Sequence, residues 1–191
     1  MSRLEVQARR LLQPMLAGTH CALDMAGQAT IALWALKTAM VLEGLDPPAM
    51  RGYTQDEREQ LHTLSAIPIR TSVWLAAAVD PTYFMSTKIR HLSPEDARSI
   101  TGMSITMAFA SVVLQVFTIR VPEDVGPATR VTTNVRPGRW DEATVRAWPT
   151  QSSPDLWPPA VGLNGETGLN SLAERFNTSM LDEKDLQELI V

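Results

Sequence analysis

Arg70-Thr-Ser-Val-Trp-Leu-Ala-Ala-Ala-Val79 is the stretch on which the fold turns. Ahead of it, apolar residues recur at helical spacing. Within it, β-branched and aromatic side chains follow one another with little polar alternation, as in a strand covered on both faces. Asp80-Pro81 closes that predicted strand. Helices feeding such a strand make an α+β pattern: N-terminal helices packed on a mostly antiparallel β-sheet, with a further helix near the C-terminus.

Upstream, Leu4, Ala8, Leu11, Leu12, Met15 and Leu16 share one face of a predicted helix from Ser2 to about Ala17, with Arg3, Arg9 and Arg10 off it. Pro14 should kink or loosen its last turn, and Gly18 stops it. Asp24 is placed to cap a second helix that runs to Glu43 and ends at Gly44. Apolar side chains lie all round this helix, so other elements should surround it. Its most apolar part, Ala29 to Leu42, is shorter than the roughly 20 residues a bilayer takes and carries Lys37 near its middle, which predicts a buried helix and no membrane partner. Thr54-Gln-Asp-Glu57 is a capping-box pattern opening a short third helix through about Leu64.

Downstream, Lys88 to Leu92 reads as a short edge strand before the Ser93-Pro94 turn. Ser104 to Phe109 alternates and Val112 to Ile119 is almost continuously apolar, so the two read as an antiparallel pair. Ala110-Ser111 lacks the Asn-Gly or Asp-Gly of a tight hairpin, which leaves a bent continuous strand or a longer turn as alternatives. Pro122, Gly126, Pro127, Pro137 and Gly138 mark 120–139 as a loop excursion. In Ala147-Trp-Pro149 and Leu156-Trp-Pro-Pro159 each proline holds the preceding residue extended, so Trp148 and Trp157 should anchor extended segments onto the core. Gly162 to Gly168 reads as turns before a helix from about Thr167 to Phe176. A single domain over 1–178 is expected, followed by an acidic tail over 179–191 that is either amphipathic or frayed. Trp34, Trp74, Leu75, Phe109, Leu114, Phe117 and Trp157 are the expected core.

The 191 residues are 45% hydrophobic with a net charge of −4, a globular composition without bulk attraction to nucleic acid or an anionic membrane. The first ten residues alternate charge and apolarity instead of building a signal sequence, and the single cysteine fits a reducing, cytoplasmic setting.

One cysteine and three histidines, without ligand or triad spacing, predict neither a metal site nor a cofactor. His20-Cys21, the sole thiol–imidazole neighbours in sequence, read as a loop. Lys37 is either a buried base or counter-ion, or a side chain that packs its methylenes and delivers its ammonium to water or a carboxylate. His91, beside Arg90 and followed by Glu95 and Asp96, is either a polar cluster at a strand end or part of a turn capped by Ser93. Arg120, Arg130, Arg136, Arg139 and Arg146, with Trp140, form a candidate phosphate-contacting surface. Glu123, Asp124, Asp141 and Glu142 leave that region close to neutral, as solvated loop charge would. Within it Arg130, Arg136 and Arg139 are the candidate phosphate contacts.

The order of several motifs resembles a family of bacterial and phage proteins described as HNH-endonuclease-like. These are Met1-Ser-Arg-Leu-Glu5, Ala8-Arg-Arg-Leu-Leu-Gln-Pro-Met-Leu-Ala-Gly18, Trp34-Ala-Leu-Lys-Thr-Ala-Met-Val-Leu-Glu43, Val73-Trp-Leu-Ala76, Gln115-Val-Phe117 and Trp157-Pro-Pro159. In that family a short Cys/His zinc-binding module stands upstream and runs into a helix of this kind, with Met1 falling at the junction. The likeness covers the region after the module, so no position here inherits its zinc ligands or its catalytic histidine. The resemblance implies a non-catalytic companion domain acting in DNA or partner recognition. A protein-interaction or assembly module without a nucleic-acid role, and a small enzyme using Lys37 or His91, are the alternatives.

Overall fold

A computed structural model describes residues 2–92, 101–120, 140 and 142–176. Helix α1 (Arg3–Leu16) starts in a capping box: the Ser2 hydroxyl accepts from the Glu5 amide and the Glu5 carboxylate accepts from the Ser2 amide. It buries Ala8, Leu12 and Met15, and Pro14 is carried inside its final turn. Gly18 ends it at φ 69°, a left-handed conformation that glycine adopts without steric cost. Strand β1 (Cys21–Leu23) follows, so Cys21 sits in a strand and the expected His20-Cys21 loop is corrected. Trp157 draws it out of the loop state, since Cys21 pairs opposite Trp157 and both backbones gain ladder bonds.

Helix α2 (Met25–Glu43) begins where Asp24 Oδ1 accepts from the Gly27 amide at 2.7 Å. It is the single helix among the described residues long and apolar enough to cross a bilayer. Here Ile31, Ala32, Ala35, Leu36, Ala39 and Met40 are buried, and α1, helix α3 and all three strands of the larger sheet lie against it. A 3-10 turn at Pro48–Met50 leads to α3 (Gln55–Leu64), with the predicted Thr54/Glu57 capping box in place.

The larger sheet has the order β3-β2-β4 and is built on a long antiparallel hairpin, β2 (Thr71–Leu92) with β3 (Thr101–Arg120). Three expectations are corrected here. Asp80-Pro81 does not end the strand: the pairing skips from Ala77 to Thr82, and a proline without an amide donor is tolerated in such an irregularity. Lys88–Leu92 is the distal half of β2, paired with Gly102–Ile105 and Thr101, and not a separate edge strand. Ser104–Phe109 and Val112–Ile119 are successive halves of β3, each paired with β2, so the bent continuous strand is the arrangement found. Ala110, at φ 48° opposite Thr82, supplies the bend where a hairpin turn would have needed glycine.

Val73 through Ala78 are all buried, as expected of a strand covered on both faces. On one face Val73, Leu75, Val112, Leu114 and Val116 pack under α1 and α2. On the other, Ala76, Ala78, Ala108 and Val113 lie under helix α4 (Gly165–Ala173) through Leu169 and Leu172. The small residues on this face let α4 approach, and Gln115 fastens it by donating to the Leu172 carbonyl at 2.7 Å. Strand β4 (Val145–Trp148) extends the sheet beside β2, while β5 (Asp155–Trp157) pairs with β1. Both tryptophans anchor extended segments as predicted, with Trp157 fully buried. The Gln28 side chain joins these layers, donating to Leu23 and Ser153 carbonyls and accepting from the Gln151 amide. The expected tail over 179–191 lies outside the described residues.

Candidate functional site

Five of the seven predicted core residues are buried, and the two that are not, Trp34 and Phe109, line a concavity. Trp34 comes from α2 and Phe109 from β3 just before the Ala110 bend, with ring centroids 5.8 Å apart. Phe84 from β2 packs against Phe109 with its ring tilted by 45° and the centroids 5.2 Å apart, and it is 52% exposed. A groove of about 680 Å³ lies between Trp34 and Phe109 on one side and α1 on the other. Leu12, Leu16 and Val112 complete its apolar lining, while Glu5, Arg9 and Gln13, spaced one turn apart on α1, form a polar rim. Its volume lies in the range that accommodates a small ligand or a partner's side chains.

The charged residues converge elsewhere, at the junction of α2, α3 and the hairpin. Glu43, wholly covered, accepts from the Gly52 and Tyr53 amides and pairs with Arg58 at 2.7 Å and Lys88 at 3.3 Å. Lys88 also reaches Asp46 at 2.6 Å and the Met50 carbonyl. Next to this, Arg120 forms a two-pronged pair with Glu57 and donates to the Gly52 carbonyl. Burial works to raise the Glu57 carboxyl but is outweighed by hydrogen bonds from Arg120 and the Thr54 amide, so it titrates below its usual range. The Tyr53 phenol is pushed well up by burial, and its hydroxyl shares a hydrogen bond with Thr118 at 2.9 Å. Each charge here has a charged or backbone partner, which is how a buried polar junction holds elements together. Sequence reasoning missed this junction. Its one legible signal was Glu43 closing an apolar helix.

Of the predicted site residues, Lys37 alone has its side chain among the described residues. Lys37 donates to Glu5 Oε1 at 2.6 Å, so its ammonium reaches a carboxylate as one of its two readings foresaw. That contact, with the Ser2 amide next in effect, lowers the Glu5 carboxyl to about 2. The His91 backbone lies in β2 opposite Gly102; its side chain, and the Ser93, Glu95 and Asp96 turn, lie outside the described residues. Arg130, Arg136 and Arg139 lie outside them too. Of the proposed arginine surface, Arg120 is spent on Glu57, while Arg146 is exposed on β4. The Cys21 thiol is raised by burial, which keeps it protonated and a poor nucleophile. Among the described residues no three His, Cys, Asp or Glu side chains are grouped to hold a metal ion. No family model, curated protein or solved structure matches the chain.

Proposed function

We propose that the chain is the non-catalytic companion domain of an HNH-endonuclease-like protein, and that its work is partner recognition through the groove between α1, α2 and the bent hairpin. The observation that carries this reading is the groove itself: apolar at its floor, polar at its rim, and continuous with the exposed ring of Phe84. Apolar surface of this kind gains free energy only when a second surface covers it. The convergent charges, by contrast, are already satisfied by one another. Helix α1 forms one wall, and the resemblance sets a zinc-binding module immediately ahead of that helix. The partner assigned to the groove is therefore that module. An apolar floor favours a protein surface over DNA, whose phosphates call for a row of available cations.

The test supplies a zinc-loaded module of that family as a separate chain and titrates it into the full chain by calorimetry. Saturable binding is expected, weakened at least tenfold by Leu16→Asp and by Phe84→Ser, two exposed positions whose substitution leaves the core intact. No binding, or binding indifferent to both changes, overturns the assignment. Metal-dependent DNA cleavage by the chain alone, lost on changing one of its residues, overturns the non-catalytic part.

A further inference from the structure

A second concavity, of about 420 Å³, lies between the first turn of α1, the C-terminal half of α2 and α3. Its floor is apolar, formed by Leu4, Met40, Val41 and Leu61, and Val41 is 63% exposed on it. Every ionisable side chain on its wall is basic: Arg3, Lys37, Arg58 and His62. This is notable in a chain with 17 basic against 21 acidic residues. Lys37 and Arg58 have partners, since Lys37 pairs with Glu5, and Arg58 with Glu43 and the Met40 carbonyl. Glu43 also touches Lys88, whose nearer carboxylate is Asp46. Among the described residues neither Arg3 nor His62 is in an ion pair, and both stand exposed at the cleft mouth. Arg3 is moreover at the first position of α1, where the helix dipole disfavours a cation. The Glu5 carboxylate, bonded to the Ser2 amide and Lys37, already supplies one negative charge at this terminus, and an anion near Arg3 would add to it.

We infer that this cleft binds a small amphipathic anion, a carboxylate or phosphate monoester carried on a short apolar body. The head group would lie between Arg3 and His62, since Lys37 is already paired with Glu5. The body would cover Val41 and Leu61. Charge complementarity selects the head and the apolar floor selects the body, so neither a neutral alcohol nor inorganic phosphate should suffice.

Octanoate and octyl phosphate, with octanol and inorganic phosphate as the half-ligands, are titrated into the full chain by calorimetry. At least one of the two amphiphiles should bind saturably at one site, fivefold or more tighter than either half-ligand. Which of them binds identifies the head group. Arg3→Gln and Val41→Asp should each weaken binding at least fivefold without changing the far-ultraviolet circular dichroism, while Leu16→Asp, in the other groove, should leave it unchanged. Absence of saturable binding, equal affinity for octanol, insensitivity to Arg3→Gln and Val41→Asp, or loss through Leu16→Asp overturns the inference.

Discussion

Glu43→Ala should be the most damaging single change at a charged position, and its size follows from the surroundings of that carboxylate. Glu43 is wholly covered and serves two backbone amides, of Gly52 and Tyr53, and two cations, of Arg58 and Lys88. Removing it leaves all four donors without that acceptor. Breaking a buried ion pair from one side costs about 3–5 kcal/mol. The Arg58 and Lys88 side chains are each about a fifth exposed, 21% and 23%, so water will take up part of the loss and the lower half of that range applies. A loss of about 3–4 kcal/mol in a chain of this length lowers Tm by roughly 6–16 °C. Glu43→Gln keeps the volume but replaces one acceptor oxygen by a donor, and should cost about 2–3 kcal/mol. Urea unfolding followed by tryptophan fluorescence and circular dichroism gives both values. A double-mutant cycle with Arg58→Ala should return a coupling of about 1–3 kcal/mol. A Glu43→Ala protein within about 1 kcal/mol of the parent, or strict additivity with Arg58→Ala, would refute the view that this junction ties α2 and α3 to the hairpin.

Two further outcomes test the bend and the surface charge. Ala110 holds φ 48° in the middle of β3, so Ala110→Gly should raise stability by up to about 1 kcal/mol and Ala110→Val lower it by about 1–2 kcal/mol; the ordinary strand ranking, with valine best, measured by urea unfolding, would contradict the bend. The Glu5 carboxyl sits at about 2 against an ordinary 4.5 because Lys37, and then the Ser2 amide, favour its charged form. Its folded value is depressed, so its contribution to stability is complete above about pH 4.5 and disappears as the pH falls toward 2. A carboxyl-carbon titration should show a midpoint near 2 that climbs in Lys37→Met; a midpoint unmoved by that change would rule out the ammonium as its main cause.

The groove was half legible in the sequence. Trp34 and Phe109 stood out as large apolar side chains, but periodicity assigns such residues to the core, and their partial exposure depends on how far β3 turns at Ala110. Lys37 was legible as a side chain reaching a carboxylate, although its partner, Glu5, lies on another helix and no local rule connects them. The partners of Glu43 were invisible for the same reason: they come from the connection after α2, from α3 and from β2.

Local chemistry was readable wherever the determining groups lie within a few residues of one another. The Asp24 cap, the Thr54/Glu57 box, the stop at Gly18, the doubly covered run from Val73 to Ala78 and the α+β class all follow from short-range hydrogen bonding and side-chain periodicity, which the order of residues specifies directly. Strand continuity was decided only by the tertiary structure. Pro81 and Ala110-Ser111 carry the local marks of an end and a turn, yet pairing between β2 and β3 on both sides of the irregularity outweighs them. Many ladder bonds and two packed faces, formed between residues distant in sequence, together exceed the preference of two or three residues, and that balance exists only once the layers have met.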